Sequence, residues 1–212
     1  MKNFTHVIWD WNGTLYNDVE WCIARINIML EKRGLPMLKS VDEYQRVFGF
    51  PVKDYYKRVG FEFEKESFEI LAAEFIELYN DNGNKLSLFP ETKEILAEFQ
   101  KNKVHQIILS ATELGNLKKQ MQPFNIDNYF DEVLGISNIF ATSKIELGKS
   151  YIRRAMPSKA ILIGDTAHDK EVADALGIDC ILIASGHQSK QTLISLGTSL
   201  VNCLSDIKSI IL

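Results

Sequence analysis

The chain has 212 residues, 46% hydrophobic and 25% charged, which suits a soluble globular protein with one sizeable core and room for a small inserted lobe. A net charge of −4, with lysines and arginines scattered in pairs such as Lys32-Arg33 and Arg153-Arg154, argues against a nucleic-acid-binding face. The apolar runs are too short for a membrane span and the opening MKNFTHVIWD too soon interrupted for a signal peptide, while Cys22, Cys180 and Cys203 form no ligand spacing, so a cytoplasmic protein with reduced thiols is expected.

Phe4 to Trp9 predicts a first strand that ends on Asp10 and a turn at Asn12-Gly13. From Asn17 to Asn84 no stretch reads as a strand. Val19, Cys22, Ile23, Ile26 and Leu30 fall at helical spacing and stop at Gly34-Leu35-Pro36. Phe68, Leu71, Ala72, Phe75 and Tyr79 repeat that spacing, with shorter pieces near 41–47 and 52–59 between them. Residues 17–84 are therefore expected to form a helical lobe inserted after the first strand, with Asn82-Gly83-Asn84 and Pro90 marking the return. The core is expected from 1–16 and 85–212. It begins with a helix from Thr92 to Lys101, followed by a strand from Val104 to Leu109 that ends on Ser110. A weaker strand, Glu132 to Ile136, precedes a strong one at Ala160 to Ile163 that ends in Gly164-Asp165. A helix from Asp169 to Leu176 closes on Gly177, and strands follow at Cys180 to Ala184 and Leu200 to Cys203. Near-continuous apolar strands alternating with helices predict an α/β fold: a parallel, Rossmann-like sheet with helices on both faces.

In such sheets ligands bind beyond the carboxyl ends of the strands. Asp10, Asn12, Ser110, Asp165 and Asp169 all fall there. Asp10 and Asp165 brought together repel unless a cation lies between them, and a hard ion with oxygen ligands, Mg²⁺, fits when phosphate oxygens complete the shell. Lys144 supplies a positive charge for a phosphate oxygen and for Asp10. Thr14, Ser110 and the amides around Gly13 supply hydrogen-bond donors, so the set suits a transferring phosphoryl group.

These residues also carry a resemblance. VIWDWNGTL resembles motif one of the haloacid dehalogenase-like hydrolase superfamily, usually DxDGT; IILSA resembles motif two, Lys144 the motif-three lysine, and ILIGDTAHD motif four. The helical insert lies where phosphoglycolate phosphatases and β-phosphoglucomutases carry a cap. The resemblance implies a phosphatase for a small phosphorylated metabolite, with Asp10 as nucleophile and metal ligand. It implies that residue 12 offers its backbone carbonyl to the metal and that Asp165 is a further ligand. Asp169 would orient Lys144 or a metal-bound water, and Ser110 and Ala111 would meet the phosphate beside Gly13, Thr14 and Lys144. Lys149, on the same segment, is the rival for the motif-three role. Nothing sets the oligomeric state.

Position 12 departs from the pattern. The second aspartate of motif one normally serves as general acid and base, and an amide cannot shuttle a proton near neutral pH. Three outcomes are open: a phosphatase that is slow or suited to good leaving groups, a replacement proton carrier such as His168 or Asp54, or a phospholigand-binding protein with little turnover. Asn12-Gly13 is also a deamidation-prone pair. A phosphomutase is a lesser alternative, as is a phosphonatase, which would need a cap lysine among Lys32, Lys39, Lys53 and Lys57. Arg46 and Lys53, flanking Gly49, are candidates for reading the substrate.

Overall fold

The computed structural model describes residues 4–81, 86–140 and 143–212; the return signal at Asn82-Gly83-Asn84 lies outside them. Strand β1 (His6–Trp9) is followed by the short β2 (Tyr16–Asn17) and by helices α1 (Val19–Lys32), α2 (Val41–Val47), α3 (Val52–Arg58) and α4 (Phe68–Asn80). The chain returns through β3 (Ser87–Leu88) to α5 (Thr92–Lys101), β4 (His105–Glu113), α6 (Leu114–Met121) and β5 (Glu132–Ile136). It then alternates α7 (Ile145–Ala155), β6 (Ala160–Gly164), α8 (Ala167–Leu176), β7 (Asp179–Ile183), α9 (Lys190–Ile194) and β8 (Ser199–Val201), and ends in α10 (Lys208–Ile211).

Six strands form a parallel sheet in the order β5-β4-β1-β6-β7-β8. Alternation along β1 explains why both faces are dry. Val7 and Trp9 join the core beneath α5 and α6, whereas Ile8 joins Tyr151 of α7, Val172 of α8 and Leu193 of α9 on the other face. The buried indoles are satisfied: Trp9 donates to Gln106 at 3.2 Å and Trp11 to Gln120 at 2.8 Å, as buried polar atoms require.

The expected α/β sheet is present, with two differences. The second expected strand continues past Ser110 to Glu113, because pairing to β5 shifts register between Ser110 and Glu113 and the extra residues bulge out. The inserted helices also begin only after a second strand: β2 pairs with β3 antiparallel, Tyr16 opposite Leu88 and Asn17 opposite Ser87. The chain thus leaves and rejoins the sheet region as a two-stranded ribbon too short to read from sequence. Within the insert, α1 and α4 pack on each other, and Arg33 at the end of α1 binds Glu66 in bidentate fashion.

Candidate active site

Asp10 begins where β1 ends, its amide still bonded to Ile163 O at 2.8 Å. Trp11 turns the chain: its carbonyl accepts from Leu15 N and Tyr16 N, while its buried indole is pinned by Gln120. Gly13 adopts φ +72°, and a Cβ there would lie 2.3 Å from Asp165 Oδ2, so only glycine fits this turn. Gly186, after β7, presses on the same carboxylate from the other side; its Cβ would lie 2.1 Å from Asp165 Oδ2. Asp165 is completely buried between these turns, accepting from Thr14 Oγ1 at 3.1 Å and from His187 N at 2.6 Å.

Lys144, immediately before α7, reaches in to bond Asp10 Oδ1 and lies 2.7 Å from Asp169 Oδ1. Asp169 in turn accepts from Thr166 N at 3.0 Å and Thr166 Oγ1 at 2.7 Å, which fixes its direction and caps α8. Asp10, Asp165 and Asp169 each bring a carboxylate oxygen within 4.8 Å of the others. Three buried carboxylates thus face one ammonium. Burial pushes Asp10 above the ordinary carboxylate range, Lys144 opposes this, and Asp169 and Asp165 push it up further. For Asp169 the balance reverses: burial raises it, but contact with Lys144 holds it below its usual value. This all-oxygen set of Asp10, Asp165 and Asp169 has the donor chemistry that a hard cation such as Mg²⁺ takes.

Ser110 is buried at the bulge in β4, its Oγ accepting from Thr112 N at 3.0 Å; Ala111 lies beside it and lines the same cavity as Asp10. The structure thus brings together Asp10, Asn12, Ser110, Ala111, Lys144, Asp165 and Asp169, with Gly13 and Thr14 against Asp165. It leaves Lys149 away from them, half-buried and paired with Glu146 at 2.9 Å. Asp54 is exposed on α3. Arg46 is exposed and bonds Asp42 O, and Lys53 lies over the Phe63 ring. None of these lines the cavity, nor do Lys32, Lys39 or Lys57. His168 does line it, buried beneath the Phe50 ring at 4.7 Å.

A second buried cluster adjoins the first. Asn12 Nδ2 donates to Asp18 Oδ2 at 2.8 Å, and Asn12 Oδ1 accepts from Thr112 Oγ1 at 2.7 Å. Asp18 also accepts from Tyr79 OH at 2.7 Å and from Gly13 N at 3.1 Å, and pairs with His187 Nε2 at 3.1 Å. The other ring nitrogen of His187 meets Tyr44 OH at 2.8 Å. Burial works to lower His187, but Asp18, and then Asp165 and Asp10, outweigh it and lift it to about 9. Burial likewise pushes Asp18 up, while the charge and hydrogen bond of His187 and the bonds from Tyr79 and Asn12 hold it below the carboxylate range. This network was missed from sequence. His187 carried a usable signal, since it follows β7 at the same edge that singled out Asp10 and Asp165; Asp18, a lone carboxylate past the turn after β1, carried none. Gly13 N–H is engaged by Tyr16 O and Asp18, which holds that nitrogen away from the attack on Asn12 that deamidation requires.

The comparisons with known proteins agree with this architecture. A family model described as haloacid dehalogenase-like hydrolase matches residues 7–183. Tyrosine-protein kinase PtkA of Mycobacterium tuberculosis is 23% identical over 185 residues, covering 85% of this chain and 62% of that protein. The chain therefore spans less than two thirds of that relative. The phosphoglycolate phosphatase of Caulobacter vibrioides is 23% identical over 211 residues, covering 94% of this chain and 86% of the relative. A solved haloacid dehalogenase-like family hydrolase from Streptococcus pneumoniae shares the fold, with a TM-score of 0.84 at 19% identity and full coverage of both chains. Helices α1 to α8 and strands β1 to β7 thus lie in or beside a recognised frame, and the chain belongs to the haloacid dehalogenase-like hydrolase family.

Proposed function

We propose that this chain is a magnesium-dependent phosphatase that moves the phosphoryl group of a small phosphorylated metabolite onto Asp10 and then to water. The observation that carries the reading is Lys144, buried between Asp10 and Asp169 at the strand ends, with Asp165 beside them. Bound Mg²⁺ would neutralise phosphate charge next to Asp10 and Asp165. The Asp10 carboxylate is aimed to attack phosphorus, and Lys144 both steadies that carboxylate and offers charge to a transferring oxygen. Ser110 and the amides near Gly13 are donors for the remaining oxygens. Residues 17–84 act as a cap in this reading, hinged at the β2–β3 ribbon, and keep bulk water from the phosphorylated Asp10. Lys144 rather than Lys149 takes the motif-three role.

The test is turnover of a phosphorylated-metabolite panel by wild type and Asp10→Asn, with and without Mg²⁺. Asp10→Asn is expected to lose at least about 10⁴-fold in kcat, as removal of a nucleophile does; equal activity in the two proteins would sink the reading. Because one relative is named a tyrosine-protein kinase, the panel includes ATP with a tyrosyl acceptor.

A second reading, a phospholigand-binding protein with little turnover, is favoured by one observation. Asn12 stands where the family carries its acid/base aspartate, and its amide is fully engaged by Asp18, Tyr79 and Thr112. Phosphate binding in wild type without turnover of any compound on the panel would select it.

A further inference from the structure

The cavity that opens from Asp10 has a volume of about 170 Å³ and two unlike halves. Its floor is the ionic cluster of Asp10, Lys144, Asp165 and Asp169. Its walls are mostly apolar and aromatic: Phe48 just after α2, Tyr55 of α3, Phe75 and Ile76 of α4, and Phe140 from the segment before α7, with Asn80, Glu113 and Asn116 as polar points. Phe48 stands among these rings, with centroids 5.2 Å from Tyr55 and 4.9 Å from His187, spacings at which aromatic groups attract.

Among the described residues, no lysine or arginine other than Lys144 lines the cavity. Lys144 is committed to Asp10 and Asp169, and His187 to Asp18 and Tyr44; His168, beneath Phe50, meets Glu171 through Nδ1, while its Nε2 and the Tyr55 hydroxyl are buried without a protein partner. A substrate carboxylate placed against these walls would meet hydrogen-bonding groups such as the Tyr55 hydroxyl but no lysine or arginine free to neutralise it, so its burial there is unfavourable. The inserted helices also limit the shape of the site. Gln45 of α2 bonds Gly186 O at 2.6 Å, and Ser189 N bonds Gln45 O at 3.3 Å, so the inserted helices are tied to the loop after β7. A dry apolar void of about 150 Å³ takes one benzene ring.

The chemistry at position 12 points the same way from independent ground. An alkoxide leaving group needs a proton as it departs, and loss of the donor costs about 10²- to 10⁴-fold. A phenolate, whose conjugate acid has a pKa of about 10, departs without one.

We propose that the substrate is an aryl phosphate, the phosphomonoester of a phenolic hydroxyl on a single uncharged ring. The proposal rests on the phosphatase reading above. An Asp10 oxygen bonds to phosphorus as the P–O(aryl) bond breaks, and its electron pair leaves on the phenolate, which takes a proton from solvent. Water then attacks phosphorus, releasing inorganic phosphate and restoring the Asp10 carboxylate. The ring lies between α3 and α4 against Phe48 and Phe75.

The experiment compares kcat/KM of wild type, in Mg²⁺, for phenyl phosphate, 2-phosphoglycolate, phosphotyrosine and a phosphotyrosyl peptide, with Asp10→Asn as control. Phenyl phosphate is expected to exceed 2-phosphoglycolate by about 10²-fold or more. Ile76→Arg, which gives the wall a cation, is expected to narrow that ratio by about tenfold. The double variant Asn12→Asp/Asp18→Asn, which returns a carboxylate to position 12 without adding charge, is expected to raise phosphoglycolate turnover more than phenyl phosphate turnover. Turnover of phenyl phosphate but not the peptide identifies a free small molecule; equal turnover of the peptide identifies a tyrosyl source of the same aryl chemistry. Asp10-dependent turnover in which phosphoglycolate equals or beats phenyl phosphate overturns the proposal and leaves the phosphatase standing. Turnover that survives Asp10→Asn, or no turnover at all, removes the phosphatase reading itself.

Discussion

Two buried ionic clusters meet at Asp165, and they were assembled by different rules. In the first, Asp10, Lys144 and Asp169 come from the carboxyl ends of neighbouring parallel strands and the helix starts that follow them. In the second, Asp18 follows the turn after β1, Tyr44 and Tyr79 come from α2 and α4, and His187 comes from the loop after β7. The first cluster is an outcome of sheet topology. The second exists only because the inserted helices are docked on the sheet, so it couples the position of those helices to the carboxylates. One cluster has surplus negative charge and suits a cation; the other is an internally matched acid, base and hydroxyl network.

Removing Lys144 breaks the first cluster most severely. Its side chain is 2% exposed and its loss leaves Asp10 and Asp169 facing each other unpaired. Lys144→Met is expected to destabilise the metal-free protein by about 3–5 kcal/mol, the cost of stripping one partner from a buried pair. Urea unfolding in chelator measures this. Lys149→Met, which loses only a surface contact with Glu146, should change stability by less than about 1 kcal/mol. Equal effects would show that Lys144 does not occupy the buried position.

The same contrast explains what the sequence revealed. Strand runs such as Ala160–Gly164 are fully buried and read directly as apolar, and the chemistry-bearing residues follow from where such strands stop. The helices of the insert were legible from spacing, since Val19, Cys22, Ile26 and Leu30 do lie buried on one face of α1. The two-residue strands β2 and β3 have no periodicity to detect. Asp18, a lone carboxylate before a helix, looks like an N-cap, yet its side chain turns away from that role and enters the network. Long-range partners such as Tyr44 and His187, separated by 143 positions, leave no local trace.

Position 12 joins the two clusters, and substituting it tests whether they are matched to each other. Asn12 donates to Asp18, so Asn12→Asp places a second carboxylate where a donor stood. The single variant is expected to be less stable by about 1–3 kcal/mol, the cost of a buried polar group left without its partner. Adding Asp18→Asn restores a donor and an acceptor in exchanged places but removes the charge partner of His187, so it should recover only part of that loss. A single variant as stable as wild type, measured by urea midpoint, would mean that the amide is not what Asp18 requires.

The smallest expected effect concerns pH and isolates the second cluster. His187 is lifted from an ordinary 6.5 to about 9, chiefly by Asp18 working against burial. A base whose folded pKa is raised contributes stability that is fully present below its unfolded value and is lost as pH climbs through the folded one. In metal-free protein, wild type should therefore exceed His187→Gln most at or below pH 6.5, by an amount on the order of 2 kcal/mol. The gap should close progressively toward pH 9 and stay closed above it. Asp18, held below the carboxylate range, remains charged throughout this window; Asp10 and Asp165, raised to about 8 and about 6, titrate in both proteins, so the difference between the two reports chiefly the imidazole. Thermal unfolding at several pH values reads the difference directly. A gap that is constant from pH 6 to 9.5 would mean that His187 supports the docked helices by shape and hydrogen bonding to Tyr44, with its charge contributing nothing.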